Sequence, residues 1–249
     1  MSVAIVTGGS SGIGWSTAVE LARRGASVIL TYSSNEEGAR NAVAAVERDG
    51  GTAVALPLDV GRSDTFGAFR DRVAEVLGGW GRETVDVLVN NAGFAETALF
   101  PDLSEELFDR FYRVLLKGPL FLTQTLLPLL SDGAAVINTT SSSTQLAEPG
   151  YSGYASMKGA LVVLTRYLAK ELSPRGIRVN SVSPGATRTR LGGDAVERFP
   201  EVVPVIAART ALGRMGEPED VAVAIAALAG EDGRWITAQD VEVSGGFGL

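Results

Sequence analysis

The sequence predicts an α/β fold, a doubly wound, mostly parallel seven-stranded Rossmann-like sheet with helices on both faces. Three observations predict it. Short apolar runs alternate along the chain with longer helical stretches. The runs are apolar at successive positions, as strands covered on both faces require. The first run leads at once into a glycine-rich turn, Thr7 to Gly14, that opens the first helical stretch.

The elements follow in order. Val3-Ala4-Ile5-Val6 supplies a strand over 4–6, and the turn hands it to a helix over 14–24. Ser-Val-Ile-Leu-Thr gives a strand over 27–31, followed by a helix over 36–49 that begins with two glutamates, suited to the positive end of a helix. A third strand over 52–57 precedes a helix over 63–77, and a fourth over 85–89 precedes one long helix over 104–130. Strands over 134–138 and 178–183 bracket a helix over 154–173. Pro218 opens a helix over 218–229, and Val241 to Val243 closes the set. No repeat, low-complexity tract or linker interrupts the series, so one domain over 1–249 is expected. The least regular stretch, 186–217, carries Pro200 and Pro204 and follows a strand end. Such an insertion lies above the carboxyl ends of the strands, where α/β sheets bind ligands, and is a candidate substrate lid.

Composition narrows the chemistry. A net charge of -7 argues against a nucleic-acid partner, which calls for a basic stripe. The chain has no cysteine and no histidine, which excludes disulfides, thiolate nucleophiles, Cys/His metal sites and a Ser-His-Asp triad. Acid–base work therefore falls to Tyr, Lys, Asp or Glu. No basic and apolar leader precedes the first strand and no apolar run reaches the length of a membrane span, so a cytoplasmic location without a membrane partner is expected.

Two features point to a reaction. In the turn, Gly8, Ser10, Ser11, Gly12 and Ile13 are small or tightly placed enough for the backbone to approach a diphosphate, and the following helix offers it free N–H groups. Further on, Tyr154 and Lys158 stand four residues apart, hence on one face of a helix. There the ammonium is expected to stabilise a phenolate and lower the phenol's pKa, allowing proton exchange with a carbonyl oxygen. Tyr151 competes for the role but has Ala155 four residues on, so Tyr154 is preferred.

Thr7-Gly8-x-x-x-Gly12-x-Gly14, Asn90-Asn91-Ala92-Gly93, Tyr154-x-x-x-Lys158 and Pro184-Gly185 together resemble the ordered motifs of the short-chain dehydrogenase/reductase family, over nearly the whole chain. The resemblance implies NAD(P)(H)-dependent interconversion of a carbonyl and an alcohol. It implies Ser141 as the residue holding the substrate oxygen, thirteen residues before Tyr154, with Ser142 as the alternative register. Lys158 would also bind the ribose. Asn90, Ala92, Gly93, Pro184, Gly185, Thr187 and Thr189 would line the cofactor, and Asp59 and Val60 would contact the adenine.

Tyr32 occupies the position where NAD-dependent members keep an acid. With no carboxylate there, and with Ser33, Ser34 and Asn35 able to donate hydrogen bonds to a 2′-phosphate, NADP(H) is favoured over NAD(H). No arginine stands in the glycine turn, where many NADP-dependent members keep one. The resemblance also implies a homotetramer or homodimer through the helices over 104–130 and 154–173.

One departure stands out. The family's usual Asn, which supports a proton-relaying water near the lysine, is Leu115. A cofactor-binding regulator or scaffold with weak or no turnover is therefore the second reading. Within the enzyme reading, a 3-oxoacyl reductase and a sugar or polyol dehydrogenase are both open. The first would call for a basic patch at the cleft mouth, for which Arg175 and Arg178 are the candidates.

Overall fold

A computed structural model of the chain describes residues 2–189, 191 and 198–249. They form a seven-stranded sheet in the order β3-β2-β1-β4-β5-β6-β7, with every neighbouring pair parallel. The strands are β1 (Val3–Val6), β2 (Ser27–Tyr32), β3 (Thr52–Pro57), β4 (Val85–Asn90), β5 (Leu130–Thr139), β6 (Arg178–Pro184) and β7 (Asp240–Val243). The helices are α1 (Gly12–Arg23), α2 (Glu36–Arg48), α3 (Phe66–Gly79), α4 (Glu105–Phe111), α5 (Gly118–Leu126), α6 (Ser152–Glu171), α7 (Val202–Ala208) and α8 (Pro218–Ala229). Among the described residues, no helix is long and apolar enough to cross a membrane, and no cluster of three metal-ligating side chains occurs.

The pleat sorts successive strand residues to opposite faces. Val3 and Ile5 of β1 join one core, with Phe66, Phe69, Val73 and Leu77 of α3 and Leu122 and Leu126 of α5. Ala4 and Val6 join the other, with Ala18 and Leu21 of α1, Ala39 and Ala42 of α2 and Ile225 of α8. Both faces of the sheet are therefore covered, which explains why its strands read as continuous apolar runs. The chain order reverses between β1 and β4, and the crevice above that reversal is where an open parallel sheet takes a ligand.

The expected long helix over 104–130 is broken. α4 runs into a π-helical segment, Tyr112–Lys117, before α5, and the 3-10 turn Leu127–Leu129 leads into β5. Pro119 supplies the physical reason. It has no N–H to offer the carbonyl of Leu115 one α-turn earlier, and its ring collides with that carbonyl unless the turn widens. Pro128 ends the element in the same way. The stretch 186–217 contains α7 and is tied back at its two ends, where Arg188 N donates to Gly216 O (2.8 Å) and Gly216 N donates to Ala186 O (3.0 Å). Its residues 190 and 192–197 lie outside the described residues.

Candidate active site

At the end of β1 the chain turns with Gly8 at φ 67°, where a β-carbon would stand 2.9 Å from Ala92 Cα. Glycine is required there for both its conformation and its size. Gly14 is required for size alone, since a β-carbon there would overlap the Gly8 carbonyl. Thr7 locks this turn to the loop after β4. Its hydroxyl oxygen accepts from Asn91 N (2.9 Å) and Ala92 N (3.0 Å), while Asn91 Nδ2 donates to Thr7 O (3.0 Å). Ser11 precedes α1 without capping it through its side chain, so the first N–H groups of that helix remain free toward the crevice.

The crevice is a cavity of about 700 Å³ lined by residues from both ends of the sequence pattern. Gly8, Ser10, Ser11, Gly12, Ile13, Ser33, Ser34, Asn35, Asp59, Val60, Ala92 and Gly93 line one part, and Ser141, Tyr154, Lys158, Pro184, Gly185, Thr187 and Thr189 the rest.

Two expected residues are not in the wall. Asn90 is buried behind it, where its Nδ2 donates to Thr123 Oγ1 (3.0 Å) and Asn138 Oδ1 (2.9 Å), tying β4 to β5 and α5. Tyr32 is half-buried and packs on the core of the α1 and α2 face. The strand's final residue points inward there, and the wall is left to Ser33. Asn35 lines the cavity but is partly occupied, since its Oδ1 accepts from Gly38 N (3.0 Å) to cap α2 and its Nδ2 donates to Ser10 O (3.3 Å). Sequence reasoning missed Leu58, Phe94, Ala95, Val114 and Thr139 in the wall, and Leu191 and Met215 reach it from the expected segment 186–217 without having been singled out. Adjacency to the motifs could have found Leu58, Phe94 and Thr139, whereas Val114 arrives from a remote element.

α6 carries Tyr154 and Lys158 into the cavity one turn apart, both 5% exposed. Phe111 and Tyr151 meet the Tyr154 ring edge-on, at centroid distances of 6.2 and 6.1 Å. Lys158 Nζ lies 5.8 Å from the centre of that ring and donates to Thr139 O at 2.7 Å. Burial pushes the Tyr154 phenol up to about 12, while hydrogen bonding from Ser141 pulls the other way. Burial also pushes Lys158 down to about 8. The expected lowering of the phenol is thus reversed in this state, because desolvation by the surrounding aromatic and aliphatic side chains dominates.

Ser141 follows β5, and its Oγ accepts from Ser143 N (3.2 Å) and Ser143 Oγ (2.9 Å). Ser142 is buried and absent from the wall, whereas Ser141 faces the cavity. Tyr151 likewise does not line it.

These residues fit a dinucleotide. The small-residue turn leaves a cradle that side chains would fill, a helix N-terminus opens onto it, and the hydroxyl of Thr139, 7% exposed in the wall, has no hydrogen-bond partner among the described residues. Leu115 is 1% exposed, and its Cδ2 approaches within 3.1 Å of where a β-carbon of Gly93 would stand, with Lys158 Nζ 3.9 Å from the same point. Both side chains therefore border Gly93.

The arginines considered for carrier docking are otherwise engaged, at the opposite end of the sheet. Arg175 donates to Leu127 O (3.0 Å) and Asp132 (2.8 Å). Arg178, at the first residue of β6, donates to Leu228 O (2.7 Å) and Ala229 O (3.1 Å) at the end of α8.

Comparison with known proteins agrees with this geometry. A family model described as enoyl-(acyl carrier protein) reductase matches residues 8–248. An uncharacterized oxidoreductase of Methylorubrum extorquens is 39% identical over 244 residues, covering 98% of this chain and 96% of the relative. The solved structure of LugOII, a promiscuous reductase that catalyses keto-reduction at C1 during lugdunomycin biosynthesis, has a TM-score of 0.95 at 40% identity, covering 100% of this chain and 98% of that one. The angucycline C-6 ketoreductase LanV with bound NADP has a TM-score of 0.93 at 34% identity, covering 99% and 95%.

Proposed function

This chain belongs to the short-chain dehydrogenase/reductase family of oxidoreductases, and from that premise we propose that it is an NADPH-dependent ketoreductase acting on a free, bulky aromatic ketone. The observation that carries the reading is the convergence of Ser141, Tyr154 and Lys158 on the cavity whose other end is the glycine turn.

A bound reduced nicotinamide supplies hydride to the carbonyl carbon. The protein's own groups do the rest. The α1 N-terminus and the turn backbone hold the diphosphate, and Ser33 and Ser34 donate to the 2′-phosphate. Ser141 positions the carbonyl oxygen, and Tyr154 gives its proton to that oxygen as negative charge develops there. A phenol raised to about 12 is fully protonated at neutral pH, the state that reduction requires. Lys158 holds the ribose and stabilises the phenolate left behind.

Several observations support the ketone class. Phe94, Ala95, Val114, Leu191 and Met215 add apolar side chains to the wall. The engagement of Arg175 and Arg178 elsewhere argues against a carrier-tethered acyl group. Of the similar proteins, LugOII is a promiscuous reductase that carries out keto-reduction at C1 during lugdunomycin biosynthesis, and LanV is an angucycline C-6 ketoreductase. The lid is the segment 186–217, which contributes Thr187, Thr189, Leu191 and Met215 to the wall.

The protein assembles as a homotetramer or homodimer in this reading. Phe108, Tyr112 and Phe121 on the α4–α5 side and Val163 and Tyr167 on α6 are exposed, with Tyr167 at 64%. Light scattering at micromolar concentration checks this, and a monomer contradicts it.

The deciding experiment follows NADPH oxidation with polycyclic aromatic ketones, 3-oxoacyl thioesters and sugars. Turnover confined to the aromatic ketones supports the substrate class, and turnover confined to thioesters or sugars refutes it. Leu115 supports the second reading, a cofactor-binding protein without turnover. NADPH binding with no oxidation across the panel would establish that one.

A further inference from the structure

The hydroxyl of Ser141 has one proton to give and two lone pairs that accept. In this structure both acceptor positions are taken by the same residue, since Ser143 offers its backbone N–H at 3.2 Å and its hydroxyl at 2.9 Å. Ser143 itself is half-buried and does not line the cavity, so it acts from behind the wall. The 3-10 turn Ser142–Thr144 brings it there, with Thr144 N donating to Ser141 O (3.1 Å) and Thr144 Oγ1 to the same carbonyl (2.9 Å).

We propose that Ser143 is a positioning residue that makes Ser141 an obligate donor, so that the only hydrogen bond Ser141 can offer the cavity is its own O–H. This rests on the ketoreductase reading and deepens it. A serine free to rotate could accept from the Tyr154 hydroxyl and stabilise the neutral phenol, holding back the proton that must leave. A serine whose lone pairs are filled can only donate. It favours the carbonyl oxygen as it gains negative charge, and it favours the Tyr154 phenolate once the proton has moved. Donation into Ser141 from Ser143 also polarises its O–H, strengthening the bond it makes.

The charged and titratable groups facing the phenol are few. Lys158 lies on the same helix and Tyr151 just before it. The neighbouring α4 and π-helical elements present Leu107, Phe111 and Leu115, none of which titrates. A change at Ser143 is therefore read at Tyr154 through Ser141 and not through a new charge.

The test compares Ser143→Ala and Ser143→Thr with the wild type and with Tyr154→Phe as the control. With the backbone N–H kept and the hydroxyl lost, Ser143→Ala frees one lone pair of Ser141. Removal of one hydrogen bond of this kind predicts a fall in kcat of about three- to tenfold, with KM and the NADPH affinity from fluorescence titration nearly unchanged. In the alcohol-oxidation direction, where the phenolate is the base, the rising limb of the pH profile moves to higher pH. Ultraviolet difference titration of the protein against Tyr154→Phe reads the same upward movement without turnover. Ser143→Thr, which keeps the hydroxyl, restores the limb and the titration.

A Ser143→Ala variant with wild-type kcat and an unmoved limb overturns the proposal. So does a fall in kcat with no movement of limb or titration, which marks a merely structural role. Loss of activity in Tyr154→Phe beside an unaffected Ser143→Ala leaves the ketoreductase reading standing and rejects this inference alone. Equal activity in the wild type and Tyr154→Phe rejects both.

Discussion

The two ends of the cavity are built from different materials. The glycine-turn end is made by backbone, through a left-handed Gly8, a Gly14 with no room for a side chain, and amide hydrogen bonds collected by Thr7. The tyrosine end is made by side chains whose properties depend on what buries them, with Phe111, Tyr151 and Leu115 around the phenol and the lysine. A site that must grip a phosphate needs exact shape and partial charges, which glycines and a helix end supply locally. A site that must move a proton needs a tuned environment, and that comes from elements distant in sequence. The first end should therefore fail through loss of shape, and the second through loss of chemistry with its shape intact.

The sharpest separation comes from Tyr154→Phe. It should lower kcat by about 10² or more while NADPH affinity and thermal stability remain close to wild type, as steady-state kinetics and fluorescence titration will show. Gly14→Ala should do the reverse. Overpacking against the Gly8 carbonyl should cost about 1–3 kcal/mol of stability and weaken NADPH binding by about tenfold or more. Denaturant unfolding and titration measure both, and a stable variant with normal cofactor affinity would break the contrast between the two ends.

A smaller effect is expected between them. Ser33→Asp places a carboxylate in the wall where a 2′-phosphate would lie, and should reduce affinity for NADPH by about tenfold while sparing NADH. Parallel titrations with both cofactors decide it, and equal losses would remove Ser33 from the cofactor's ribose.

A separate effect is expected on stability against pH. Lys158 sheds its proton near pH 8 when folded and at 10.5 otherwise, so between those values the unfolded chain binds the extra proton. Its contribution to stability therefore rises with pH across that window. Tyr154 has the opposite sign, because the folded form keeps its proton to about 12 while the unfolded phenol ionises near 10, and its contribution falls with pH above 10. Melting temperatures of Lys158→Met and Tyr154→Phe against wild type should expose the two slopes separately.

The same contrast explains what could be read in advance. The strands and α8 were legible because apolar runs and Pro218 act locally, and the glycine turn was legible because its spacing is its function. Asn90 was expected at the cofactor, and its side chain instead bonds to Thr123 and Asn138 behind the wall, because a strand-end asparagine so engaged has the same sequence appearance as one facing a ligand. Tyr32 was expected in the wall and packs on the α1 and α2 face, for the related reason that a one-residue step at a strand end changes which face a side chain takes. The direction of the Tyr154 shift was not legible at all. It depends on how deeply the folded chain buries the phenol, in part through Phe111 arriving from α4, a contact that nothing near residue 154 encodes.

The widened turn around Leu115 amounts to one residue more than an α-helix needs to link α4 to α5. Chain length and side-chain direction are coupled in a helix at about 100° per residue. Pro119 keeps the turn wide, so removing a single residue after Leu115 would not tighten it; with α5 held in place, the residues before the deletion point would step along the helix by one position and rotate by about 100°. Leu115 would then leave Gly93 and Lys158 without any substitution at 115. The surplus residue is thus a phase setting for the helix, and a one-codon deletion there is a way to change the lysine's surroundings that no point substitution reproduces.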